Sequence, residues 1–386
     1  MAAHDADELA AWLRLLLSPG IGRTAARKLL TAFGPPQAVF DAAPAQRRDC
    51  VGAELANALN HEPETLAPAL GRLRTWLDGD AARDWVALDD ARYPQALLQT
   101  ADPPLLLYTI GRCELLNTPC IAIVGSRNPT PQGADNARAF AEHLGRAGLT
   151  IVSGMALGID GAAHSGALAG GAGTIAVVGT GLDRVYPRAH RALAHQIAER
   201  GLIVSEFELG TESLAANFPQ RNRIIAGVSL GTLVVEAALE SGSLITARFA
   251  LEAGRDVFAI PGSIHSPQSR GCHALIKQGA KLVDDVRDVL DELCWPSAAA
   301  RAGAAAPASS IDGAAALASR LDDAAASDAA PDALLTAMGY DPVDLDQLQA
   351  RTGLPTARLS ARLLELELQG RVARLPGGRY QRSGKG

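Results

Sequence analysis

The sequence is short of the residues that several functions require. Its five cysteines (Cys50, Cys113, Cys120, Cys272 and Cys294) are scattered and form no C-x-x-C pair, which argues against a zinc site or a disulfide framework and favours reduced thiols. No apolar run reaches the roughly 18 residues that cross a bilayer. The N-terminus is acidic ahead of its apolar part, unlike a secretory signal. We therefore expect a cytoplasmic protein with no metal and no membrane partner.

Positive charge and aromatic rings are also scarce. The formal net charge is -6 and aromatic residues make up 4% of the chain. Residues 120–290 balance 15 Lys and Arg against 15 Asp and Glu. No overall field attracts a polyanion, so any binding of phosphates must come from a local cluster of cations.

The first 80 residues predict a helical domain. Apolar residues recur at helical spacing on both sides of a "SPGIG" turn, which is the pattern of a helix-hairpin-helix or SAM-like module. The amides of such a turn can contact a DNA phosphate. Any tight turn between helices also favours glycine, so packing remains the other interpretation.

Residues 85–295 predict an α/β domain with an extended, Rossmann-like parallel sheet. Apolar strand runs alternate with helical stretches at 121–126, 149–154, 174–179, 202–206, 231–238, 256–262 and 280–283, as in βαβ units covered on both faces. The runs at 85–90 and 104–111 extend the sheet. Residues 296–330 are rich in alanine and predict a linker. Residues 331–386 predict three helices and a β-hairpin, the winged-helix pattern.

Arginines follow several strand ends of the predicted sheet, where ligands bind in this class of fold. Gly125 and Ser126 end one strand and Arg127 follows. Arg188 follows Pro187 at a helix start. Arg221 and Arg223 lie in "NFPQRNRIIAG" (217–227), where Asn217 is a candidate cap and Pro219 a candidate first helical residue. Cations are unfavourable at a helix N-terminus, so a phosphate-binding rim is one explanation and pairing with Glu206, Glu208 or Glu212 is another.

Two further junctions are rich in small residues. Gly154 and Gly158 lie in "SGMALGIDGAAH" (153–164), where Asp160 could cap the helix and His164 is expected to pack or form a local hydrogen bond. Gly242 and Ser243 form part of a polar loop before a helix. Each junction fits an anion cradle or ordinary helix packing equally well.

Six motifs together resemble the DNA-processing protein A family (DprA/Smf). They are "VGSR" (124–127), "SGMALGIDGAAH" (153–164), "GTGLDRVYP" (179–187), "FPQRNRIIAG" (218–227), "VVEAALESGSLITA" (234–247) and "GSIHSPQSRGCHALIKQGA" (262–280). They stand in order over roughly 100–290. His273 occupies a position where the family pattern predicts Asn, which puts one detail of a dimer interface in doubt.

The resemblance implies a non-catalytic protein without a cofactor. Such a protein binds and protects single-stranded DNA, helps to load the RecA recombinase during natural transformation, and acts as a homodimer. The resemblance places the DNA-binding residues at Ser126, Arg127, Gly154, Gly158, Arg188, Phe218, Arg221, Asn222, Arg223, Gly242 and Ser243. Phe218 is the candidate for stacking a base, although a core phenylalanine is the alternative.

Two other functions remain open. A nucleotide-metabolising enzyme of the phosphoribohydrolase type has a similar sheet, but it carries a P-G-G-x-G-T-x-x-E loop where this chain has "ESGSLITA". Alternatively, the tail reads DNA through Arg358 and Arg362, which share a helix face. The tail balances eight Lys and Arg against six Asp and Glu, so its field is weak.

Overall fold

The N-terminal residues fold into helices around a small apolar core. The structure, a computed structural model, describes residues 6–264, 266–296, 333–338 and 342–383. The first helices are α1 (Ala6–Leu17), α2 (Arg23–Phe33), α3 (Pro36–Asp41), α4 (Pro44–Val51), α5 (Ala53–Ala58) and α6 (Leu66–Asp78). Gly20 has a φ of +77° in the turn between α1 and α2, a conformation that favours glycine. The buried Ile21 donates its amide to Ser18 O over 3.1 Å.

A sheet follows, and its strands confirm the predicted runs. They are β1 (Arg83–Ala87), β2 (Leu106–Gly111), β3 (Cys120–Val124), β4 (Thr150–Ser153), β5 (Thr174–Val177), β6 (Leu202–Ser205), β7 (Gly231–Val234), β8 (Asp256–Ala259) and β9 (Lys281–Leu282). Within the described residues their order is β1-β2-β6-β5-β4-β3-β7-β8-β9. β2 pairs antiparallel with both β1 and β6, and the other pairs are parallel. Every residue of β3, β4, β5, β6 and β7 is buried, which explains their unbroken apolar runs.

Helices connect the strands and cover the sheet. They are α7 (Gln95–Leu98), α8 (Pro131–Arg146), α9 (Ile159–Gly170), α10 (Arg191–Arg200), α11 (Asn217–Val228), α12 (Gly242–Glu252), α13 (Arg270–Lys277) and α14 (Val286–Glu292). From β3 the chain adds β4, β5 and β6 on one side, and it then returns to add β7 and β8 on the other. The strand order therefore reverses between β3 and β7, the point at which such sheets bind ligands.

The helical segment and the sheet share one hydrophobic core. Trp12 and Leu13 of α1 belong to the same buried cluster as Trp85 of β1, Tyr108 of β2 and Ile203 of β6. A single unit contains both parts, over residues up to 129 and 136–289. The predicted boundary near residue 80 therefore separates two elements of sequence that fold against each other.

The C-terminal residues form the predicted winged helix. Its elements are α15 (Ala333–Met338), α16 (Leu345–Thr352), α17 (Thr356–Leu368), β10 (Val372–Leu375) and β11 (Arg379–Arg382). Asp344 begins α16 with a capping box, in which its carboxylate accepts from Gln347 N over 2.7 Å. Leu348, Leu363 and Tyr380 join the core. Three helices followed by a hairpin confirm the prediction, whereas the predicted linker at 296–330 lies outside the described residues except for Pro296.

The structure also bears on the cysteines and on the expected lack of a membrane-spanning helix. All five cysteines are free; Cys120 and Cys272 are buried, and Cys294 is exposed. None of the described helices has the length and hydropathy that crossing a membrane requires.

Candidate nucleic-acid interface

A cleft of about 690 Å³ opens where the strand order reverses. The chain leaving β3, the start of α11 and the loop from β7 to α12 supply its walls. A second pocket of about 90 Å³ adjoins it, and residues such as Arg127, Tyr186, Phe218 and Arg221 line both. Other residues that line the main cleft include Ser126, Asp160, Asn222, Glu240, Gly242 and Ser243.

The chain leaving β3 forms the first wall. A Cβ at Gly125 would lie 2.7 Å from Ile159 Cγ1 and 2.9 Å from Glu236 O, so only glycine fits there. Ser126 is buried, and its Oγ accepts from Asn128 N over 3.1 Å. These contacts turn the chain sharply, and the exposed side chain of Arg127 consequently reaches the cleft.

The loop between β4 and α9 packs closely against this wall. Gly158 has a φ of +83°, and a Cβ there would lie 2.4 Å from Ser126 O. Gly158 is also the residue that precedes α9, and the helix has no side-chain cap. The buried Asp160 instead accepts from Gly154 N over 3.1 Å and from Ala156 N over 3.2 Å. The prediction that Asp160 caps α9 is therefore wrong; its carboxylate closes the loop.

Arg221 lies beneath the cleft with 4% of its surface exposed. Its Nη1 donates to Val177 O over 2.9 Å, while its Nε is buried without a hydrogen-bond partner. Burial lowers the pKa of Arg221 to about 10, attraction to Asp160 opposes this shift, and repulsion by Arg127 adds to it. The positive charge is thus held at a cost that a bound anion would reduce.

Aromatic rings meet the cations at the start of α11. The half-buried Phe218 ring lies 5.6 Å from the Tyr186 ring, centroid to centroid, at an interplanar angle of 38°. The guanidinium carbons of Arg127 and Arg221 lie 5.6 and 5.9 Å from the Phe218 centroid, within the range of cation–π attraction. Tyr186, Phe218 and Arg127 therefore form a mixed ring-and-cation surface at the junction of the two pockets.

The start of α11 differs from the prediction in two details. The helix begins at Asn217, so Pro219 is its third residue rather than its first, and no side chain caps it. Asn217 is buried and donates its Nδ2 to Gly179 O over 3.1 Å. This bond ties α11 to the end of β5, and it holds the Phe218 ring beside Gly179.

Arg223 does not reach the cleft. Its Nη2 pairs with the carboxylate of Glu206, its Nη1 donates to Asp102 O, and its Nε lies 3.6 Å from Asp102 Oδ2. Arg23 and Arg27 of α2 also pair with Asp102. The prediction that Arg223 shares a site with Arg221 is corrected, and the alternative of pairing with Glu206 is confirmed.

The remaining predicted residues fall in two places. Arg188 is exposed in a 3-10 helix (Arg188–His190), two residues beyond Tyr186, and is not among the residues lining the cleft. Asn222 donates to Gly242 O over 3.3 Å and so joins α11 to the start of α12. Ser241 caps α12, because its Oγ accepts a hydrogen bond from Ser243 N over 3.3 Å. A Cβ built on Gly242 would have no neighbouring atom within 4 Å. The first turn of α12 is consequently both capped and open to the cleft.

Sequence reasoning missed Tyr186 as a site residue. It is 47% exposed, although large apolar rings are usually buried. A signal was present in "RVYPRAH", where a tyrosine stands between two arginines at a strand-to-helix junction. His164, by contrast, behaves as predicted: it is fully buried, and its Nδ1 lies 2.8 Å from Thr174 Oγ1.

Comparison with known proteins places these features in a family. The model of the DNA recombination-mediator protein A family matches residues 84–294, and that of the DprA winged helix domain matches residues 315–378. Protein Smf of Escherichia coli K12 is 42% identical over 300 residues, which are 76% of each chain. DNA processing protein DprA of Streptococcus pneumoniae R6 is 51% identical over 205 residues, covering 53% of this chain and 72% of the relative.

Two solved structures resemble the fold. DNA processing protein A from Streptococcus pneumoniae superposes with a TM-score of 0.62 at 38% identity, over 75% of this chain and 98% of that one. DNA processing protein A from Helicobacter pylori, described with a single-stranded DNA binding mode, gives a TM-score of 0.50 at 32% identity, over 55% and 96%. The resemblance inferred from six motifs is confirmed, and the chain belongs to the DNA recombination-mediator protein A family.

Proposed function

We propose that this chain binds single-stranded DNA in the cleft between β3 and β7 without altering it chemically. The observation that carries the proposal is the contact of Phe218 with Tyr186 and Arg127 directly above the buried Arg221. Single strands are held by cations along the backbone and by aromatic rings on which bases stack. Bases in a duplex are already stacked on one another, so these rings favour single strands over duplex DNA.

The surrounding backbone suits phosphate groups. The first turn of α12 lines the cleft at Gly242 and Ser243, and a helix N-terminus attracts anions. Arg127 adds an exposed guanidinium, which can bind a phosphate through two hydrogen bonds. Glu240 also lines the cleft and would repel a strand that approached too near, so we expect the backbone to follow the Arg127 side.

The state of Asp160, the buried acidic residue of the cleft, supports the non-catalytic part of the proposal. The carboxylate of Asp160 is engaged by two loop amides and faces Arg221. A hydrolytic base must instead reach a proton of the substrate or of water. If the chain released free base from nucleoside monophosphates, the enzyme interpretation would replace this one.

The biological role extends beyond the cleft. We propose further, from the resemblance to this family, that the protein protects incoming single-stranded DNA and helps to load RecA recombinase during natural transformation, as a homodimer. The segment 262–290 is the candidate dimer interface. Two large apolar side chains of this segment are exposed, Ile264 by 74% and Leu282 by 44%, which is compatible with that placement.

A titration of oligo(dT) against a duplex of equal length tests the function. We expect oligo(dT) to bind more tightly than the duplex. The logarithm of its association constant should fall by about 0.7 per phosphate contacted for each tenfold increase in salt concentration. Arg127→Ala should weaken binding and flatten that salt dependence. Equal affinity for duplex DNA, or an affinity independent of salt, would overturn the proposal. Loading is tested separately, by RecA filament growth on oligo(dT) with and without the protein.

A further inference from the structure

The recognition helix of the winged helix carries an apolar stripe on its outer face. Leu359, Leu363 and Leu366 of α17 are buried in the domain core. On the opposite side Ala357, Ala361, Leu364 and Leu368 are all exposed, with 56% of Leu364 and 81% of Leu368 accessible. Their spacing of four, three and four residues puts them in one line along the helix. This set of four is the outer stripe.

The outer stripe is poorly suited to reading DNA. A recognition helix lies in the major groove, where bases are read by Arg, Lys, Asn or Gln side chains. Here alanine and leucine occupy the centre of the outward face, and Arg358 and Arg362 stand to one side of it. Arg362 is also paired with Glu365 over 2.6 Å. The interpretation that the tail reads duplex DNA through Arg358 and Arg362 is therefore not favoured by this geometry.

The stripe is complementary to itself in one orientation. If a second α17 lies antiparallel, Ala357 meets Leu368 of the second copy and Ala361 meets Leu364. Each small residue then faces a large one, which lets two helices approach closely with their ridges interlocked. A parallel pair would set leucine against leucine at one end and alanine against alanine at the other. The sequence of sizes thus selects the antiparallel pair.

The charges beside the stripe select the same orientation. Arg358 and Glu365 flank it on one side, seven residues apart along α17. In an antiparallel pair, this side of one helix adjoins the same side of the other helix, which runs in the opposite direction. Arg358 of each copy therefore lies near Glu365 of the other. Charges at flanking positions determine partner and orientation in such pairs. Both features point to one occupant, a second copy of this chain.

We propose that α17 is a self-association surface, where two copies of the winged helix pair through the outer stripe. The interface is distinct from the segment 262–290, which belongs to the other unit as far as Val289. A chain with two different two-fold contacts can assemble beyond a dimer, into a closed tetramer or an open array. If the proposed binding of single strands also holds, such an array would place successive molecules side by side along one strand.

Directed disulfide formation tests the pairing in the full-length protein without DNA. Cys294 is exposed, so all variants carry Cys294→Ser. Chains with Ala357→Cys are mixed with chains carrying Leu368→Cys and are mildly oxidised. In the antiparallel pair these positions face each other, whereas two copies of position 357 are about 16 Å apart along the axis, too far to be bridged. We expect the mixture to form roughly tenfold more covalent dimer than either variant alone.

Charge reversal supplies the matched control. Arg358→Glu should reduce the yield of mixed disulfide, and Arg358→Glu combined with Glu365→Arg should restore much of it. Arg374→Glu, an exposed substitution on β10, should have no effect. Equal yields from the mixture and from single variants would overturn the proposal, as would no disulfide in any sample. Protection of Leu368→Cys from alkylation by duplex DNA would assign the face to DNA instead. None of these readouts depends on binding of single strands, so the two proposals fail separately.

Discussion

Arg221 fills the space that a side chain on Gly154 would need. A Cβ built on Gly154 would lie 1.6 Å from Arg221 Nη1 and 2.8 Å from Asp160 Oδ2. The end of β4 and the second turn of α11 therefore interlock around a guanidinium. Glycine at 154 is required by this close approach, and not by an unusual backbone angle, because its φ lies outside the left-handed region.

Gly154→Ala should displace Arg221 and damage both stability and binding. Overpacking of a filled interior costs about 1–3 kcal/mol, and the guanidinium has no free space below the cleft. We expect a lower free energy of unfolding, measured in urea, and weaker binding of oligo(dT). Gly71→Ala is the matched control, because a Cβ there meets nothing within 4 Å in the middle of α6. It should stabilise the protein by about 0.5–1 kcal/mol.

Phe218→Ala should weaken the binding of oligo(dT) by about 1–3 kcal/mol, roughly 5- to 150-fold, the contribution of one stacked base. Phe218→Tyr keeps the ring and should retain most of the affinity. Fluorescence anisotropy measures both, and the unfolding free energy of each variant shows whether the fold is intact. Unchanged affinity in a folded Phe218→Ala protein would mean that the ring serves packing alone.

Arg223→Ala should destabilise the fold more than it weakens DNA binding. Only 7% of the Glu206 side chain is exposed, and removing one partner of a buried ion pair costs about 3–5 kcal/mol. Arg248→Ala breaks an exposed pair with Glu252 and should cost less than about 1 kcal/mol. Denaturant unfolding compares them. A loss of affinity in Arg223→Ala as large as in Arg127→Ala, without loss of stability, would return Arg223 to the DNA site.

His164 should make the protein sensitive to mild acid. Its burial, with repulsion from His190 and Arg221, lowers its pKa from 6.5 to about 3. Between these values the unfolded chain binds a proton and the native chain does not, so stability is present above pH 6.5 and falls as the pH decreases. The slope approaches about 1.4 kcal/mol per pH unit. Urea unfolding from pH 7.5 to 5 measures it.

His164→Gln should remove most of that slope while keeping a hydrogen bond toward Thr174. The advantage of the wild type over this variant should therefore shrink steadily as the pH falls. His143→Gln changes an exposed histidine of α8 and should leave the pH profile as it was. Parallel profiles for wild type and His164→Gln would show that another group causes any acid sensitivity.

Local patterns predicted most of the sheet and part of the site. Buried parallel strands are continuous apolar runs, and the end of such a run at Val124 is enough to place Arg127 at the edge of the sheet. Arg221 and Arg223 show what local sequence patterns could not predict. Residues two apart on a helix point about 200° apart, so only one of them could face the cleft. Which one did so depended on Asp102 and Glu206, whose proximity to Arg223 arises from tertiary packing, including that of α7 against α11, and is not visible locally.

The dependence of affinity on salt concentration distinguishes arginines that contact a phosphate from arginines that only support the fold. Each phosphate contact contributes about 0.7 to the slope of that dependence for single strands, whereas a residue that only supports the fold contributes nothing to it. Arg127→Ala should therefore flatten the slope by about 0.7, and Arg223→Ala should leave it unchanged even where affinity falls. Arg188→Ala decides the path of the strand. If the backbone continues past Tyr186 and Pro187, Arg188→Ala flattens the slope by a similar amount; if the strand ends at the Phe218 ring, the slope matches that of the wild type.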